Sequence, residues 1–139
     1  MTATRRTLVS FLDRDRLSES VRQARASWRT YAPYLDWFRS RLTDARAVPS
    51  AGVPADVLTM NSRFVVRDVK SGEAATYTLV YPSDEAPDRG NLCVLSPMGT
   101  ALFGARVRDV VRWVGADGPR TVEVEEILYQ PEDAGDFDL

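Results

Sequence analysis

Gly99 and Gly104 lie at the two ends of GTALFG in the stretch VLSPMGTALFGARVRDVVRW, residues 94–113. Two glycines separated by four residues form the first half of a phosphate-cradling loop. That motif continues with lysine and a Ser or Thr, so that an ammonium reaches the phosphates and a hydroxyl holds magnesium. Here Ala105 and Arg106 follow Gly104, and the match fails. Paired acids occur at Asp13/Asp15, Glu123/Glu125 and Asp136/Asp138. General acids and metal sites use such pairs, but this close spacing reads as solvated faces. Cys93, inside LCVL, reads as a buried inert thiol. The chain has no histidine, which removes Ser-His-Asp and Cys-His nucleophiles, His-containing zinc sites and phosphohistidine chemistry. Ser10, Ser62 and Ser96 are thereby left without a base. The sequence supports no catalytic residue, metal ligand or cofactor, and reads as a protein that is not an enzyme.

The elements around these residues follow from periodicity. Leu17, Val21, Ala24 and Trp28 recur at helical spacing, as do Leu35, Phe38, Leu42 and Ala45. RTYAP separates the two stripes, and its proline disfavours helix at the preceding residue. Asp13 or Asp15 is the expected N-cap. The prediction is a short antiparallel helical hairpin over residues 1–50, projecting about 20 Å at ~1.5 Å per residue. AVPSAGVPAD, residues 47–56, reads as a linker.

Residues 51–139 read as a sheet domain. Met60, Phe64 and Val66 alternate, KSG at 70–72 signals a turn, and Tyr77, Leu79 and Tyr81 alternate again. PSDEAPDRGN is an acidic loop, LCVL a short strand, and SPMGTALFG a two-turn helix capped by Ser96 with Pro97 at its first position. DVVRWV and TVEVEEILY complete the set. In the last strand Val122 and Val124 share a phase that Ile127 and Tyr129 do not, which predicts a bulge at Glu125–Glu126. The class is α+β: a helical hairpin, then an antiparallel sheet with one short helix.

Charge divides the chain at the same boundary. Residues 1–50 carry ten arginines against five acids, and residues 51–139 carry eight basic against fifteen acidic side chains. The halves are either two solvated surfaces or two faces turned to differently charged surroundings on a large partner. One cysteine excludes an internal disulfide and fits a reducing compartment. No apolar run approaches a membrane span or a signal peptide, so the expectation is cytoplasmic. Trp28, Tyr31, Tyr34 and Trp37, with Arg29, surround the hairpin turn, a composition suited to a protein-binding tip. Stacking on nucleic acid is the alternative, disfavoured because the acidic body would repel phosphates.

PADVLTMNSRFVVRDVKSGEAATYTLVYP, VLSPMGTALFGARVRD and VEEILYQPEDAGDF together resemble the GreA/GreB family of transcription elongation factors. The resemblance implies a short coiled coil followed by an FKBP-like domain at residues 51–139. It also implies binding to RNA polymerase at the rim of its secondary channel, where Gre factors also bind. Ser96, Pro97, Met98 and Gly99 match the region that contacts the rim. Gre factors hold two acids at the tip of a long coiled coil to help bind catalytic magnesium. Here the tip reads RASWRTYAP, without an acid, and the arms are short, which implies no transcript cleavage. Arg41 stands where related regulators are expected to carry an acid. The expectation is a monomer with at most indirect nucleic-acid contact. The alternatives are a peptidyl-prolyl isomerase, with a pocket lined by Tyr77, Phe103 and Trp113, or a module for another protein partner.

Overall fold

Ser10, rather than either aspartate, opens the first helix. Its hydroxyl oxygen accepts the Asp13 amide at 3.1 Å, the bond an N-cap makes to the third helical residue. The computed structural model describes residues 7–25, 32–115 and 117–136. In it α1 spans Phe11–Arg25 and α2 spans Ala32–Asp44. Ser10 is the cap because the chain before it is already committed to a strand. Leu8–Ser10 forms β1, which pairs in parallel with β2, Arg46–Val48. Neither strand is legible at three residues, and β2 runs into what the composition presents as a linker.

The remaining strands are β3 (Arg63–Asp68), β4 (Ala74–Val80), β5 (Asn91–Cys93), β6 (Val110–Gly115) and β7 (Gly118–Tyr129). They form one sheet in the order β5-β4-β3-β7-β6. The turn after β3 is built by Asp68, whose Oδ1 accepts the amides of Lys70 and Ser71 at 2.8 and 3.0 Å. Gly72 supplies the left-handed residue there, at φ 77°. Every pairing except one is antiparallel, and the exception corrects the expected topology. β5 runs parallel to β4, because two short 3₁₀ turns at Pro82–Asp84 and Pro87–Arg89 carry the chain back before it pairs. A strand of three residues encodes no direction.

The predicted bulge is present. Val65 lies opposite Glu126 and Val66 opposite Val124, leaving Glu125 as the extra residue. The extra residue throws Glu125 outward, where it accepts from Arg67 Nη2 at 3.0 Å. Val122 and Val124 fall on the buried face, at 2 % and 0 % exposure.

Helices and sheet share one core. Leu17, Val21, Phe38 and Leu42 belong to the same buried cluster as Leu58, Phe64, Leu102 and Val124. At its centre Phe38 meets Phe103 edge-on, with ring centroids 5.7 Å apart, a favoured aromatic geometry. Truncating Phe38 to Ala would cost about 3–5 kcal/mol. Two short helices complete the chain, α3 (Pro97–Leu102) and α4 (Pro131–Ala134). The acidic composition of the tail hides α4. Gln130 caps it by accepting the Asp133 amide at 3.1 Å, while its Nε2 donates to the carbonyls of Pro54 and Val57 at 2.7 Å each.

Candidate partner-docking site

The start of α3 is held from several sides. Ser96 Oγ accepts the Gly99 amide at 3.0 Å and donates to the Cys93 carbonyl at 2.7 Å. Pro97 occupies the first turn, where its missing N–H has no cost. Ser96, Pro97 and Met98 are half-buried, and Gly99 is buried. A Cβ on Gly99 would stand 2.1 Å from the Cys93 oxygen and 2.8 Å from Val94 Cα. The four candidate residues are thus contiguous, but Gly99 is turned toward the backbone that follows β5. Its contribution is close packing rather than a surface contact.

The other end of α3 is closed by a residue from the helical segment. Arg41 on α2 donates to the carbonyl oxygens of Thr100 and Phe103, the latter at 2.6 Å, and to Thr7 Oγ1 at 3.2 Å. A cation at a helix C-terminus meets carbonyls without intrahelical partners and the negative end of the dipole. Burial pulls the Arg41 pKa below its ordinary value, and the carbonyl bonds satisfy the guanidinium that is left charged. Gly104 follows with φ 79°, and a Cβ there would lie 2.5 Å from Thr7 Cγ2.

Asp13 is not part of a solvated pair. It is 2 % exposed, one helical turn before the buried Leu17. That i, i+4 spacing was the available signal. Tyr81 OH donates to Asp13 Oδ1 at 3.3 Å. Oδ2 has no hydrogen-bond partner among the described residues, and neither has Oε1 of the buried Glu132. Burial, reinforced by Glu132, pushes the Asp13 carboxyl up to about 7. Glu132 is raised by its own burial. Burial and the Asp13 charge raise the Tyr81 phenol.

Beside this cluster a groove of about 1040 Å³ runs between α1 and residues 81–96. Asp15 and Glu19 line its helical wall, Asp84 and Glu85 the opposite one, and Tyr81 and Leu95 add apolar surface. Ser96 stands at its margin, joining the groove to the α3 start. Cys93 also lines it, at 8 % exposure. Burial and then the neighbouring Glu85 push its thiol pKa up, so the thiolate is disfavoured.

Of the predicted aromatic tip, Trp28, Arg29 and Tyr31 lie outside the described residues. Tyr34 falls on α2, but its side chain is likewise outside them. Trp37 is 47 % exposed, with the Arg41 guanidinium carbon 5.0 Å from its ring centroid. Phe103, one of the three aromatics an isomerase pocket would use, is 1 % exposed. It is filled by packing and cannot line an open cavity.

The described residues contain no group of three or more His, Cys, Asp or Glu side chains that could hold a metal ion. None of their helices is long and apolar enough to cross a membrane. Fold and site together define a helical arm rooted on a small mixed sheet, with a rigidly built helix start at its surface. The model of the C-terminal domain of the transcription elongation factors GreA and GreB matches residues 53–129, and the chain belongs to the GreA/GreB family. It is 37 % identical over 133 residues to the regulator of nucleoside diphosphate kinase of Escherichia coli (strain K12), covering 94 % of each chain. It is 31 % identical over 96 residues to the transcription elongation factor GreA of Desulfovibrio desulfuricans, spanning 69 % of this chain and 59 % of that protein. Among solved structures it is similar to a GreA/GreB elongation factor from Nitrosomonas europaea. The TM-score is 0.76 at 29 % identity, covering 91 % of this chain and all of that one.

Proposed function

We propose that this chain is a non-enzymatic transcription regulator that binds RNA polymerase near the rim of the secondary channel. The single observation that carries the reading is the α3 start in a chain of this family. Ser96, Pro97 and Met98 stand half-exposed on a helix fixed at both ends, by Ser96 itself and by Arg41. A pre-ordered surface loses little entropy on docking. In this reading residues 1–50 act as a helical hairpin and residues 51–139 as an FKBP-like module, and the protein works as a cytoplasmic monomer. It competes with Gre factors for one site. It does not stimulate transcript cleavage: the tip sequence RASWRTYAP has no acid, and helices of 15 and 13 residues reach only about 20 Å.

The test is capture of bacterial RNA polymerase by the wild-type chain and by Pro97→Asp and Met98→Asp variants, with a Gre factor as competitor. Cleavage of a backtracked transcript is scored alongside. The expected result is wild-type binding, its loss in both variants, displacement by the Gre factor and no cleavage. Absence of binding at physiological salt would overturn the reading. Retained binding in both variants would remove α3 from the interface.

A further inference from the structure

We propose that the groove between α1 and residues 81–96 receives a basic, amphipathic segment of a protein partner. The argument is charge complementarity. Among the described residues four acids, Asp15, Glu19, Asp84 and Glu85, face the groove, and Arg16 is the one basic side chain lining it. Asp15 and Glu19 are shared with Arg14 and Arg22. Asp84 and Glu85 are exposed and enter no ion pair among the described residues. A wall of this sign repels nucleic acid and anionic lipid, and attracts lysine or arginine.

The apolar surface narrows the class further. Tyr81 and Leu95 line the same groove as the acids, so an occupant with apolar residues on one face and cations flanking them fits both features. A helix laid in a groove has that pattern. The acidic wall is pre-shaped: the Asp84 amide donates to the Tyr81 carbonyl at 2.9 Å, and Asn91 Nδ2 donates to the Asp84 carbonyl at 3.2 Å. Ser96 belongs to both the groove and the α3 start, so one partner can cover both. The proposal rests on the polymerase reading only for the identity of that partner.

Two titrations test it with the full chain. The first follows amide NMR shifts as a synthetic amphipathic helix with a leucine face and flanking lysines is added. A peptide with glutamates replacing the lysines serves as control. Shifts at Ser83–Glu85, Leu95 and the α1 wall with the lysine peptide alone are expected. A triple variant, Glu19→Lys with Asp84→Lys and Glu85→Lys, changes exposed positions only. It should bind the peptide at least tenfold more weakly, with an unchanged circular dichroism spectrum. Equal binding of both peptides, or shifts confined to another face, would overturn the proposal. The second measures RNA polymerase binding by the same triple variant. Weakening of about tenfold or more supports the groove as part of that interface. Full binding by the triple variant, with loss in Met98→Asp, overturns the groove and leaves the polymerase reading intact. If the wild type binds the lysine peptide in the groove but not polymerase, the groove stands and the polymerase reading falls.

Discussion

The guanidinium of Arg41 donates to the carbonyl of Phe103 at 2.6 Å, joining the second helix of the arm to the end of the helix proposed for docking. A residue that departs from the family expectation is therefore a structural tie. Arg41→Met should lower stability by about 2 kcal/mol, since hydrogen bonds to charged groups contribute about 1.5–3 kcal/mol. Thermal unfolding followed by circular dichroism should show a drop of roughly 6 °C. Arg41→Lys should recover only part of it, because an ammonium does not present the planar fork that spans two carbonyls.

Asp13 makes stability fall as pH rises. Its carboxyl titrates at about 7 in the folded chain against 3.8 unfolded. Between those values the native state holds a proton that the unfolded state has released. The contribution is fully present below about 4, is lost as pH rises toward 7, and is flat above. Asp13→Asn should therefore be more stable than wild type at pH 8 by roughly 1–3 kcal/mol and show little gain at pH 4. Urea denaturation at both values measures the difference.

Two glycines should respond to alanine to very different degrees. At Gly99 the new Cβ meets backbone atoms at 2.1 and 2.8 Å, which cannot swing aside as a side chain would. Gly99→Ala should cost about 3 kcal/mol and weaken partner binding by displacing Ser96 and Met98. At Gly72 nothing lies within 4 Å, and only the positive φ opposes a side chain. Gly72→Ala should cost about 1 kcal/mol and leave binding unchanged.

Cys93 should react slowly with iodoacetamide at pH 7, because burial and Glu85 hold the thiol protonated. Glu85→Gln should speed alkylation several-fold by removing the adjacent charge. An unchanged rate would show that access through the groove, rather than thiolate population, limits the reaction.

The sequence made the long periodic elements and the α3 cap legible, because each is specified by near neighbours. Leu17, Val21, Phe38 and Leu42 repeat at helical spacing, and Ser96-Pro97 opens a helix with local hydrogen bonds. The phase switch at Glu125 revealed a bulge for the same reason. What stayed hidden depends on distant partners. β1 exists only because Thr7 and the residues after it meet Arg46 and its neighbours. Direction in β5 is fixed by turns outside it. Asp13 reads as solvated beside Asp15, yet helical residues two apart face different ways. Its i, i+4 spacing to Leu17 hints at burial, but the groups that surround its carboxyl, Tyr81 and Glu132, come from distant parts of the chain. The acidic groove combines residues from α1 with residues 81–96, so no local pattern announces it.

The parallel pairing of β1 with β2 has one more effect. It fastens the beginning and the end of the helical arm to each other at the root, while Gly104 and Arg41 lock that root to α3. The contacts that make this joint, from Thr7, Arg41 and Arg46, all lie at the ends of α1 and α2 nearest the sheet. Length and attachment of the helical segment are thus set by different residues in this architecture.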